Sequence, residues 1–121
     1  MSGARPDRAE AERRGRRAEA MAAWFLRVKG WTILGERVRT PVGEVDLVAR
    51  RGNVLAFIEV KARATREAVE ISLDQRRLQR VAAASELLVP RFLGDADTVR
   101  IDVIHIVPGH LPRHLVDVWQ G

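Results

Sequence analysis

Three residues of this chain have types and spacing suited to chemistry: Asp46, Glu59 and Lys61. They fall in one stretch, 43–63, which reads GEVDLVARRGNVLAFIEVKAR. Val45, Leu47 and Ala49 alternate with Glu44, Asp46 and Val48, and then Leu55, Phe57, Glu59 and Lys61 alternate with Ala56, Ile58 and Val60. Both runs have the period of two expected of strands. Between them Gly52-Asn53 signals a two-residue hairpin loop, because glycine takes the positive φ such a turn needs. With those two residues as the loop, Asp46 lies opposite Glu59 and Glu44 opposite Lys61. The alternation then sends all four side chains to one face.

Such a face is costly without a reason for it. Directly opposed residues on antiparallel strands have Cβ atoms about 5 Å apart, and like charges there weaken the sheet. Two carboxylates at that range repel by roughly 1–4 kcal/mol, depending on the effective dielectric. A cation or a shared proton relieves the repulsion. Three carboxylates converging on one patch offer hard oxygen ligands, which suit Mg²⁺, with Mn²⁺ or Ca²⁺ as alternatives. A plain solvent-facing strand pair is the other reading of the same residues. The lysine adds to the first. Of twenty-one Lys and Arg, only Lys29 and Lys61 are lysine, so arginine carries almost all the positive charge. A compact ammonium beside carboxylates is suited to orienting a water or neutralising charge; a cross-strand salt bridge to Glu44 is the alternative.

Asp46 followed by Glu59-Val60-Lys61 resembles the PD-(D/E)XK nuclease motif, an acid on one strand and an acid-x-Lys on the next. The wider pattern, GEVDLVAR and FIEVKAR, resembles the YraN-like proteins, relatives of archaeal Holliday-junction resolvases and restriction endonucleases. The likeness spans about Gly15 to Asp117 and takes in Gly15-Arg16-Arg17-Ala18-Glu19, Gly30-Trp31-Thr32-Ile33-Leu34 and Arg100-Ile101-Asp102-Val103. It implies an α/β, restriction-endonuclease-like core with a mixed central β-sheet flanked by α-helices. It further implies a Mg²⁺ site formed by Asp46, Glu59 and the Val60 carbonyl, with Glu19 and Glu44 assisting and Lys61 serving catalysis. The implied activity is endonucleolytic cleavage of DNA, of branched or otherwise unusual structure. A nucleic-acid-binding or accessory module that retains the fold without turnover is the alternative, since fold and motif can outlive activity.

Composition sets the frame. With 121 residues, 46% hydrophobic and 31% charged, the chain suits one globular domain with a modest core. A net charge of +5 points to a polyanionic partner, most simply DNA. There is no cysteine, so disulfides and thiolate metal sites are excluded. No apolar run has the length of a membrane span, and the leading residues lack a signal-peptide core, so a cytoplasmic protein is expected. Junction cleavage on two strands would call for a homodimer.

The elements follow in order. Residues 1–7 read as a disordered tail before a single nuclease domain at 8–121. Residues 8–29 are rich in Ala, Glu and Arg and free of proline, which predicts a helix. Its buried stripe is read as Ala18, Met21, Ala22, Phe25 and Val28. Gly30 stops it, and Trp31 to Arg39 is the first strand, with Ile33 and Val38 packing. Trp24 and Trp31 read as core or edge aromatics rather than stacking platforms. A loop over 64–71 places Arg63 and Arg66 for phosphate contact. A second helix begins with Ser72 as N-cap and Gln75 three residues on, a capping-box pattern. Gln75, Arg76 and Arg77 lie on the nucleic-acid side, the stripe is Leu78, Val81, Ala82, Ser85 and Leu88, and Pro90 ends the helix. Thr98 to Val107 is an interior strand carrying Arg100 and Asp102 as a structural pair, and Leu115 to Trp119 pairs with it. Zinc is excluded for His105, His110 and His114, because Pro112 prevents the helix that would bring the last two together.

Overall fold

The computed structural model describes residues 8–63 and 75–120. Within them the order is α1 (Arg8–Val28), β1 (Thr32–Thr40), β2 (Gly43–Arg51), β3 (Val54–Ala62), α2 (Gln75–Phe92), β4 (Thr98–Ile106) and β5 (Arg113–Leu115). The strands form one mixed sheet in the order β1-β2-β3-β4-β5, with β3 and β4 parallel and the other neighbours antiparallel. This is an α/β fold consistent with a restriction-endonuclease-like core. The tail at 1–7, the loop at 64–71 with Arg66, and Ser72 lie outside the described residues.

The helices cover opposite faces of the sheet. On one side Ala22, Ala23 and Leu26 of α1 pack with Leu47, Ala49, Ala56, Ile58 and Ile104. On the other, Leu78, Val81, Ala84 and Leu88 of α2 pack with Val45, Val48, Leu55, Phe57, Ile101 and Val103. Central strands covered on both faces read as nearly continuous apolar runs, which is why β3 and β4 look as they do in sequence. The β2–β3 hairpin has the expected register, from Arg51↔Val54 to Leu47↔Ile58, and Gly52 turns it with φ 59°. At Gly43 a side chain would press on the Arg80 carbonyl of α2, its Cβ 3.2 Å from that oxygen, so glycine lets helix and strand approach closely there.

Four sequence expectations are corrected. The α1 stripe is rotated: Ala18, Ala22, Ala23 and Leu26 are buried, whereas Met21 and Val28 are exposed. Apolar residues almost encircle that end of the helix, so the spacing fits two rotations, and the sheet selects the face of small residues. In α2 the buried set takes Ala84 rather than Ala82. Pro90 does not end α2, which continues to Phe92. A proline in the last turn removes one N–H and is tolerated where packing holds the rest. The last strand is Arg113–Leu115 rather than Leu115 to Trp119, because Asp102 draws the following chain away.

Asp102 is fully buried, bridged by Arg100 Nε at 3.0 Å, by His114 Nε2 at 2.8 Å, and by the Asp117 N–H at 2.9 Å. Asp117 takes φ 55° to make its contact. Trp31 seals this cluster, with the Arg100 and Arg51 guanidinium groups 5.4 and 4.9 Å from its ring. Burial pushes the Asp102 carboxyl up, but His114, the Asp117 N–H and Arg100 together hold it below the usual carboxylate value. Its stabilising contribution is therefore present above about pH 4 and lost as the pH falls below that. Asp102→Ala should cost about 3–5 kcal/mol, because it leaves the Arg100 guanidinium, the His114 ring and the Asp117 N–H without their buried acceptor. Urea unfolding at pH 7 measures this, and a loss under 1 kcal/mol would contradict the network.

Candidate active site

The alternation of β2 breaks at Asp46. Val45 packs on the α2 side and Leu47 on the α1 side, although two residues apart on a regular strand share a face. β1 breaks at the same level, with Arg37 at φ 50° between the pairs Glu36↔Leu47 and Val38↔Val45. A non-glycine residue in the left-handed region marks a local irregularity. The ribbon β1–β2 thus kinks away from β3, whose pairing with β2 runs no further than Leu47↔Ile58. Asp46 closes the gap with its side chain: the Val60 N–H donates to Asp46 Oδ2 at 2.8 Å.

This local geometry brings the acid pair together. Asp46 and Glu59 are 8% and 2% exposed, and their carboxyl groups hydrogen-bond to one another. Burial is the largest influence on Asp46; the hydrogen bond and charge of Glu59 add to it, the Val60 N–H opposes, and Glu19 contributes a little. The outcome is a carboxyl pushed up to about 8. Arg77 Nε donates to Glu59 Oε2 at 2.5 Å. Lys61, 4% exposed, lies two residues beyond Glu59 on β3 and in register with His105 of β4. Burial and the charges of Lys61, Arg63 and Arg113 lower the His105 pKa, which keeps that imidazole neutral near pH 7. A hollow of about 210 Å³ opens over the pair, lined by Gly43, Glu44, Asp46, Glu59, Arg77 and Arg80.

The outer acids sit differently from the sequence expectation. Glu44 was expected opposite Lys61; it pairs with Arg39, whose Nε is 3.1 Å from Glu44 Oε2, while still lining the hollow. Glu19 lies near enough to Asp46 to bear on its charge, and its Oε1 accepts from Arg37 Nε at 2.7 Å. Each outer carboxylate thus has its own guanidinium. Three carboxylates do not converge on one point: among the described residues no three His, Cys, Asp or Glu side chains are grouped to hold a metal ion. What is assembled is a pair, Asp46 and Glu59, with the Val60 backbone beside it. Arg77, expected on nucleic acid, is turned onto Glu59. Gln75 and Arg76 are exposed on the first turn of α2, and Arg63 donates to the Ala62 carbonyl at 2.9 Å. Sequence reasoning weighed His105 only as a zinc ligand and gave Arg37 no defined role at the site. Strand alternation and parallel pairing would have pointed to His105; nothing local signals the Arg37 conformation.

An α/β core that holds a buried acid pair and a neighbouring lysine at the broken end of a central hairpin defines the class of this protein. The comparisons with known proteins place it more closely. Residues 18–106 match the profile described as uncharacterised protein family UPF0102. The chain is similar to a UPF0102 protein of Sphingopyxis alaskensis, 60% identical over 93% of this chain and 97% of that one. It is likewise similar to one of Rhizorhabdus wittichii, 53% identical over 94% and 97%, and to one of Caulobacter vibrioides, 45% identical over 99% and 98%. The chain belongs to the UPF0102 family. No helix among its described residues is long and apolar enough to cross a membrane.

A raised carboxyl pKa makes stability depend on pH in a definite direction. Between about pH 4 and pH 8 the folded chain keeps a proton on Asp46 that the unfolded chain gives up, so this contribution is complete at low pH and lost as pH rises through 8. In chelator, Asp46→Asn should raise the Tm at pH 8.5 by a few degrees, as about 1 kcal/mol does in a domain of this size. It should have less effect at pH 5. Thermal scans at the two pH values check this; a fall in Tm at pH 8.5 would contradict the paired-carboxyl geometry.

Proposed function

We propose that this protein is a metal-dependent endonuclease that hydrolyses phosphodiester bonds in DNA of branched or otherwise unusual structure. The observation that carries the reading is the buried, proton-sharing Asp46–Glu59 pair with Lys61 two positions on. Two desolvated carboxyls side by side are a standing electrostatic cost that a divalent cation relieves. The donors are hard oxygens, and Mg²⁺ commonly takes one or two carboxylates, several waters and substrate phosphate, so the residues present fit it, or Mn²⁺.

Asp46, Glu59 and the Val60 carbonyl would hold the ion. The chemistry a bound divalent ion supplies is polarisation of the scissile phosphate and a lowered pKa for water. Lys61 holds positive charge at the site, where it orients the attacking water or offsets the charge that develops on phosphorus-bound oxygens. Asp46 must release its proton on loading, so loading is favoured by higher pH. Arg77 has to leave Glu59 and is then positioned, with Arg80 at the mouth of the hollow, to take a phosphate. Arg63, Gln75 and Arg76 extend the basic side of the site, and Glu19 and Glu44 orient water through the outer shell of charge. Two cuts at a junction need two such sites, hence a homodimer on DNA.

One observation favours a second reading, a nucleic-acid-binding module without turnover: Arg77 fills the coordination of Glu59, and the outer acids are already paired. Four-way junction, flap, linear duplex and single-stranded DNA, each incubated with pure protein in Mg²⁺ or Mn²⁺, separate the two. Cleavage should fall at least 10²–10³-fold in Asp46→Ala and in Lys61→Ala, the scale on which electrostatic stabilisation acts. Binding without cleavage of any of the four would select the module. Arg77→Ala should lower the Mn²⁺ concentration needed to raise the Tm, since the competing guanidinium is gone; an unchanged or higher midpoint would mean that Arg77 does not compete with the ion.

A further inference from the structure

Ala62 and Arg63 directly follow Lys61, and with α1 they open onto a second hollow of about 430 Å³, within the roughly 300–1,000 Å³ of ligand pockets. Its floor is apolar, made by Met21 of α1, Ala62, Ile106 at the end of β4 and Pro108. Its rim carries three arginines: Arg14 and Arg17, close to one turn apart on α1, and Arg63. Elsewhere Arg37, Arg39, Arg50, Arg77 and Arg100 each hold a carboxylate. Among the described residues Arg14 and Arg17 have no such partner. The apolar surface does not stop at the hollow. Arg17 and Met21 also line a shallower depression with Trp24. Met21 is 46% and Trp24 57% exposed, so Trp24 is not the core or edge aromatic expected from sequence.

Cations around an apolar floor, with an exposed indole next along the helix, match a ligand that is anionic on one side and flat and apolar on the other. A nucleotide of a single strand is such a ligand: its phosphate pairs with guanidinium groups and its base lies on apolar or aromatic surface. A continuous duplex keeps its bases stacked inside, and none reaches a concave floor unless it is flipped out. We propose that this hollow and Trp24 form a subsite for unpaired nucleotides of single-stranded DNA, running along α1 away from Lys61. That the bound strand is also the one cleaved rests on the nuclease reading; the binding does not. The subsite selects substrates that carry unpaired nucleotides, such as single strands, flaps and opened junctions, over perfect duplex.

Fluorescence anisotropy in EDTA, with labelled oligothymidylate and a blunt duplex of equal length, tests this without cleavage. Wild type should bind the single strand more tightly than the duplex. Met21→Glu, which puts a carboxylate on the floor, and Trp24→Ala, which removes the stacking surface, should each weaken single-strand binding roughly tenfold or more. Duplex binding should change by less than about twofold, because phosphate contacts alone carry it. Arg17→Ala, at another exposed position, should weaken single-strand binding too, and unchanged melting temperatures certify that the variants fold. Equal losses on both DNA forms, no loss on either, or no single-strand binding by wild type would overturn the subsite. So would a wild-type dimer that Trp24→Ala dissociates while DNA binding stays intact, since the stripe would then belong to a second copy. Single-strand binding lost in Met21→Glu, with no cleavage of any substrate, would keep the subsite and remove the nuclease reading. Cleavage with single-strand binding unaltered in the variants would do the reverse.

Discussion

One hydrogen bond organises this molecule: the Val60 N–H on the Asp46 carboxyl. It forms where the β2–β3 ladder stops, and it replaces a backbone acceptor with a side chain. A buried N–H must find an acceptor, and a strand that kinks away leaves it none from its own backbone. Asp46 therefore serves the backbone of β3 and shares a proton with Glu59 at once. The kink that Arg37 and Asp46 create together is what makes room for the hollow above them.

The charges around this bond are arranged in shells. Innermost are two buried carboxyls with one proton between them, and a lysine two residues further along the strand. Around them Arg77, Arg37 and Arg39 each hold one of Glu59, Glu19 and Glu44. A chain of +5 net charge thus keeps a locally acidic centre within a basic surround. A basic surround favours anions in general, and an acidic centre favours a cation or a proton. The Asp102 cluster on the neighbouring strand β4, where Asp102 is in register with Ile58, uses the same residue types to opposite effect. There, arginine, histidine and a backbone N–H satisfy one buried carboxylate, and what results is a fixed β5.

The contrast explains why α1 faces as it does. Its small residues let it lie close on β2, β3 and β4, and the larger Met21 and Trp24 are left outside. A helix presses its smallest side chains against a sheet when close approach gains more contact than burying one larger side chain would. The side chains thus excluded are the ones that give the outer surface of α1 its character.

The hairpin, its register and the identity of the acid pair and lysine were legible in the sequence, because a two-residue turn and a period of two are local properties of the chain. The spacing of apolar residues marked most of the helices and strands, and the α/β class came from the family resemblance that the acid and lysine motif carries. Other features depended on the assembled molecule. The face of α1 was ambiguous because apolar residues surround its end, and only the sheet chose between them. The third carboxylate failed to join the pair because Arg39 and Arg37, positioned by a kink without local signature, took Glu44 and Glu19 first. The last strand moved because Asp102, buried by packing on both sides of the sheet, needed partners that only the returning chain supplied. Local pattern determined which groups could meet; long-range packing and the competition for charge decided which of them did.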